Sequence, residues 1–261
     1  MISCNRSSFL YNFDFSKEIP HFNNMSDDVK AAAECYAVDV IYESFVITGD
    51  QGYLMARMLA LKGFHRGFFW AAAQAIEKYL KAFLLMNGHP VKDLSHSIKK
   101  SYDFTKDLSS DLVDLDISRH NDIQVDSNVV NHIKNFTILE YINELETHGA
   151  SDNRYNASGV VFNTGHLFAL DALVFNLRKK IEVPPIFESF NKLNPEMLIF
   201  LKKLNPWFQI FPDKNEVPTQ DFPIQYISYV TKLEFIKEEN NKNDPKCYLA
   251  LKWLKTKMKI S

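Results

Sequence analysis

Hydrophobic residues recur at three- and four-residue intervals along most of this chain, the period of amphipathic helices. Ser26 followed by Asp27 and Asp28 is a helix start, with a capping hydroxyl and acids at the positive end of the dipole. Val29, Ala32, Ala33, Tyr36 and Val40 then predict a helix over about 27–45. Thr48-Gly49-Asp50 punctuates, and a second helix is expected over about 50–62, broken by Gly63. From Phe68 to Met86 the polar residues are only Gln74, Glu77, Lys78 and Lys81. At about 100° per residue these four fall in one thin stripe, with Arg66 near its edge. A helix apolar on all other sides has to be covered on most of them, so it lies at the centre of a bundle or on a dimer seam. Asn87-Gly88 and Pro90 end it.

The pattern weakens further on. A helix is expected from His96 to about 106, and residues 107–126 are polar and irregular. Ser127 is placed to cap a helix in which Val130, Ile133, Phe136, Leu139, Ile142 and Leu145 keep the period to Gly149. After the loop ASDNRYNASG, residues Leu167, Leu170, Leu173, Val174, Leu177 and Ile181 mark a last bundle helix, stopped by Pro184-Pro185. Residues 186–204 predict one or two helices, and FPIQYISYVTKLEFI alternates enough to suggest one or two short strands. EENNKND reads as a loop, and Pro245 opens a short basic helix. Residues 1–25 carry aromatics without a period and read as an arm packed on a neighbouring element or as a partly disordered segment. The fold expected is all-α, an up-and-down bundle over 48–183, with an arm and helix over 1–47 and a C-terminal extension over 184–261.

Composition removes several function classes. Apolar residues make up 46% and charged residues 24% of the 261, which suits a globular chain. The net charge of −2 supplies no global field toward nucleic acid or anionic membrane, so any RNA interaction has to rest on local basic patches. No uncharged apolar run reaches about 18 residues, so no membrane span is expected. The first residues make a poor signal peptide, and three cysteines without a close pair fit a reducing compartment, which points to the cytoplasm. No Gly-rich phosphate loop and no HExxH occurs, and no two histidines sit at i,i+4 beside a carboxylate. Neither a metal nor a cofactor is therefore expected.

The stretch from Asp50 to Asp103 resembles the bacterial HEPN domain. It carries a helix with Tyr53, Ala56 and Arg57, a Gln-Ala-x-Glu-Lys-Tyr-x-Lys-Ala core from Gln74 to Ala82, and the pair Leu94 and His96 after a small loop. Arg154-Tyr155, before the final bundle helix, looks like the Arg-Tyr pair of many such domains. The resemblance covers about 48–183 and implies a helical bundle, a homodimer, and RNA or nucleotide binding at the dimer cleft in a defence, stress or toxin–antitoxin-like setting. Many members are metal-independent ribonucleases marked by Arg-x(4–6)-His, in which a histidine moves the 2′-hydroxyl proton and an arginine stabilises phosphorane charge.

That spacing is absent here. Arg57 to His65 has seven intervening residues, Arg154 to His166 has eleven, and Arg119 and His120 are adjacent. The expected activity is therefore binding, with Arg154, Tyr155, Lys78, Lys81 and Arg66 as RNA or nucleotide contacts. The catalytic alternative uses Arg154 with a displaced histidine, His96 or His166. A third expectation is a purely structural module. It would dimerise or dock a protein partner through the C-terminal extension, where Lys246, Lys252, Lys255, Lys257 and Lys259 accompany Tyr248 and Trp253.

Overall fold

Residues 26–61 run as one helix with a defect rather than as two helices. In the computed structural model, which describes residues 14–123, 130–149, 160–182, 195–202, 205–208 and 232–258, α1 (Asp27–Ile41) passes through a π-helical turn (Tyr42–Ile47) into α2 (Thr48–Leu61). The break expected at Thr48-Gly49-Asp50 does not occur, because each residue there is used in packing. Thr48 Oγ1 donates back to the Ser44 carbonyl at 2.7 Å. A Cβ on Gly49 would stand 3.2 Å from the Tyr79 ring, so the missing side chain lets the next helix approach. Asp50 is buried.

Helix α3 (His65–Met86) is the central element, packed against α1 and α2, against α4 (Ile98–Leu108), and against α5 (Ile138–His148) and α6 (Thr164–Ile181). Its apolar majority, including Phe68, Phe69, Ile76, Leu80 and Leu84, is fully buried, as its narrow polar stripe requires. Gly63 and Gly88, at φ 80° and 76°, make the left-handed turns before and after it. No strand occurs among the described residues, and the fold is an all-α bundle.

Two stretches differ from the sequence expectation. Helix α5 begins at Ile138 after a break at residues 131–137; Val130 before the break is helical, and Ser127, expected to cap one continuous helix, lies outside the described residues. The start is set by a capping box, in which Thr137 and Glu140 each satisfy the other's backbone N–H. Most of the stretch expected to form strands, 222–231, also lies outside the described residues, but Lys232–Ile236 is helical, within α8 (Lys232–Asn241). The Lys232 ammonium sits over the Tyr36 ring at 4.3 Å and the Phe235 ring at 4.8 Å, which holds α8 on α1. Helix α6 ends at Glu182 in a left-handed conformation, φ 54°; Pro184 and Pro185 lie outside the described residues. Between α6 and α8, α7 (Pro195–Lys202) lies against α2.

The first and last described segments meet. Helix α9 (Pro245–Lys257), capped by Asp244, packs on α1 and buries Trp253, Leu249 and Leu254. Phe15 stacks on Trp253 at 5.1 Å and on Phe22 at 4.8 Å, and Glu18 pairs with Lys257 at 2.5 Å. Cys247 on the same helix is a free, buried thiol, and burial, with Asp244 and Glu239 nearby, pushes its pKa up to about 11. No described helix is long and apolar enough to cross a membrane.

Helix α4 is anchored from another element. Glu146 on α5 accepts from Ser97 Oγ and from the Ile98 N–H, both at 2.8 Å, and from the Lys99 N–H at 3.3 Å. One carboxylate thus answers the open donors and the dipole of the α4 N-terminus. Glu146→Ala is expected to cost about 1–2 kcal/mol, read as a lower urea midpoint with amide protection lost first in α4. Unchanged α4 protection would show that Ser97, which caps Lys100 N–H, suffices alone.

Candidate functional site

The polar stripe of α3 meets the loop between α3 and α4 at His96. Glu77 and Lys81 lie one turn apart and are buried, and their Oε1 and Nζ are 2.6 Å apart. Ser95, at φ 49°, adopts a conformation few serines use and turns its carbonyl onto the Lys81 ammonium. The next side chain, His96, places Nδ1 3.2 Å from the same Glu77 oxygen while remaining 89% exposed. An ionised Glu77 accepts the Nδ1 proton, which leaves Nε2 as the basic nitrogen of an imidazole open to solvent. Around it Lys92, Lys99 and Lys100 are exposed, with Asp93 the one acid in that stretch. Lys78 is half-buried, reaches the Thr48 carbonyl at 3.4 Å, and has its pKa lowered by burial against the opposing charge of Glu77. The fold therefore brings together Lys81 and His96, with Lys78 on the same helix; Arg66 is half-buried two turns before Gln74.

His166 stands elsewhere, at the third position of α6, and is 2% exposed. It is enclosed by Phe69 from α3, Phe136 and Tyr141 from the α5 region, and Phe162. Its Nδ1 accepts the Asn163 N–H at 3.0 Å and closes a capping box for α6. Glu144 approaches from α5, with Oε2 3.9 Å from His166 Nε2 and 3.1 Å from His148 Nε2, while Lys134 holds the other oxygen at 2.8 Å. Glu144, His148 and Lys134 were not singled out from the sequence; the Glu144–His148 i,i+4 spacing on α5 was the available sign. Among the described residues no group of three or more His, Cys, Asp or Glu is arranged to hold a metal ion.

A third polar cluster is wholly interior. Asp50 and Arg57 on α2 pair with Arg178 and Asp171 on α6, in antiparallel order. Tyr53 donates to Asp171 at 2.7 Å, Tyr79 donates to Asp50, and Asn205 donates to the Tyr53 oxygen at 2.7 Å. Burial is the largest single effect and works against the Arg57 guanidinium, but Asp171 and Tyr53 together outweigh it and leave its pKa raised. Burial first, and the neighbouring carboxylates second, raise Tyr53 and Tyr79 well above ordinary phenols, so both remain donors. These groups are buried in the core. Arg154 and Tyr155 lie outside the described residues.

No family model matches this chain, and no characterised protein or solved structure is significantly similar to it.

Proposed function

We propose that this chain is a HEPN-like helical module that binds RNA or nucleotide phosphate on the face formed by the α3 stripe and the start of α4. The observation that carries the reading is the exposed His96 imidazole, anchored by Glu77 and bordered by Lys92, Lys99 and Lys100 on one short surface segment. Basic side chains at this density recruit phosphate locally even though the whole chain is slightly acidic. The resemblance of residues 50–103 to HEPN domains supports RNA or nucleotide as the ligand, a second copy as the partner, and a defence or stress setting. Arg154 and Tyr155 belong to the same reading by that resemblance.

Fluorescence anisotropy with a labelled single-stranded RNA tests it. Wild type is expected to bind with a steep salt dependence, and Lys99→Ala/Lys100→Ala to lower the slope of log K against log salt by about 1–1.5 and the affinity about tenfold. Equal binding by the two proteins would remove this face from the interaction.

A second reading follows from the Glu77–His96 contact alone. A carboxylate that fixes the imidazole tautomer and leaves Nε2 in solvent is the arrangement of a general base, so His96 rather than His166 is the histidine suited to metal-independent RNA cleavage. Cleavage in EDTA that survives in His96→Ala would exclude it.

A further inference from the structure

The junction of α5 with α6 is built from titratable groups that the proposed binding face does not use. Glu144 is shared by His148 and His166 from one side and by Lys134 from the other. Each element packed there contributes specific groups. Helix α5 presents Tyr141, Glu144 and His148, the preceding turn presents Lys134, α6 presents His166 itself, and α3 presents the uncharged Phe69. His65 stands behind Phe162, stacked on its ring at 4.1 Å. With the His166 imidazole neutral, Lys134 and Glu144 balance. Neither His166 Nε2 nor His148 Nδ1 has a hydrogen-bond partner, although both are buried. A proton on the His166 ring therefore enters an aromatic enclosure where one carboxylate already serves a lysine.

We propose that Glu144, His148 and His166 form an acid-sensitive latch that holds the first turn of α6 to the end of α5 and releases it when the His166 imidazole is protonated. The capping box gives the latch its direction. Neutral His166 Nδ1 accepts the Asn163 N–H, and protonation removes that acceptor. The Asn163 carbonyl, 2.9 Å from Nδ1, is the group on that side able to take the new proton, which satisfies the ring but not the freed N–H. Phe69 and Phe136, whose ring centroids lie 5.0 and 4.6 Å from the imidazole, leave the charge without hydration unless the junction opens.

Linkage sets the sign. Burial lowers the His166 pKa, with the Asn163 backbone and Glu144 opposing it. A histidine depressed in the folded state contributes stability that is complete above its unfolded pKa of about 6.5 and is lost as pH falls below it.

Hydrogen exchange of the full-length protein at about pH 7.5 and about pH 5.5, corrected for intrinsic rates, tests the latch. Opening at the lower pH is expected to raise exchange by about tenfold in residues 137–148 and 164–170 while Phe68–Met86 stays protected. In His166→Gln the pH difference at this junction is expected to vanish. Should that variant fail to fold, the imidazole resonances of the wild type decide, because His166 is then required to titrate in step with the opening. Junction exchange that does not change with pH, that changes equally in His166→Gln, or that rises together with α3 would overturn the proposal.

Discussion

Arg57→Ala is expected to lower stability by about 3–5 kcal/mol, a large share of the roughly 5–15 kcal/mol that separates folded from unfolded domains. The cost comes from what is left behind. Asp171 is 1% exposed and would keep a carboxylate with Tyr53 as its remaining donor, while the Phe200 carbonyl, now 2.7 Å from Arg57 Nε, would lose its partner too. A surface Arg–Asp pair would cost under about 1 kcal/mol, so burial alone decides the magnitude. Urea unfolding followed by far-UV circular dichroism measures it, and a loss below about 1 kcal/mol would contradict the buried geometry. Arg57→Met/Asp171→Leu is expected to recover part of the loss, because no lone charge remains, although Tyr53 and Asn205 stay polar. The native ion pairs also specify register. Asp50 and Arg57 are seven residues apart, as are Asp171 and Arg178, and they pair Asp50 with Arg178 and Arg57 with Asp171. Sliding α6 by one heptad along α2 would set aspartate against aspartate, or arginine against arginine, and leave the other two charges without a partner, so the wrong antiparallel register is penalised.

This network shows where sequence reasoning stopped. The spacing of Asp50 to Arg57 recurs at Asp171 to Arg178, but each residue alone resembles a solvated helix charge, and only the antiparallel packing of α2 on α6 turns four such charges inward. Helix α3 was legible because its polar stripe is too narrow to be anything but a buried helix. The π-helical turn was not, because Thr48, Gly49 and Asp50 carry the chemistry of a helix break while their actual partners, Ser44 and Tyr79, lie on the preceding turn and on α3. The period through Val130 and Ile133 suggested a longer α5, and the Thr137–Glu140 capping box marked its true start. Of the candidate site, Lys78, Lys81 and His96 could be read from the sequence as residues. That Glu77 serves both Lys81 and His96 could not, since it depends on the left-handed turn at Ser95. His166 was legible only as a displaced catalytic histidine; its aromatic enclosure is assembled from segments far apart in the chain.

Gly165→Ala is expected to destabilise the protein by about 2–3 kcal/mol even though alanine is the better helix former by about 1 kcal/mol. An alanine Cβ at this position would lie 1.9 Å from the Lys134 carbonyl oxygen, so one backbone or the other has to move. Neither can move without loss. Asn163 ties the two together, accepting from the Lys134 N–H at 3.0 Å while its amide donates to the His132 carbonyl at 2.7 Å, and its Oδ1 also caps the Gly165 N–H at 2.8 Å. Displacing residues 132–134 would therefore break the cap of α6, and it would carry Lys134 away from Glu144. Gly52→Ala supplies the contrast. There the new Cβ would meet Ala71 and Ala75 of α3 at 3.4 Å or more, an ordinary contact inside α2, so the same substitution is expected to leave stability unchanged or raise it by up to about 1 kcal/mol. Thermal unfolding of the two variants side by side separates close backbone approach from helix propensity. If both shifted the midpoint in the same direction, the tight approach of α6 to residues 132–134 would be wrong.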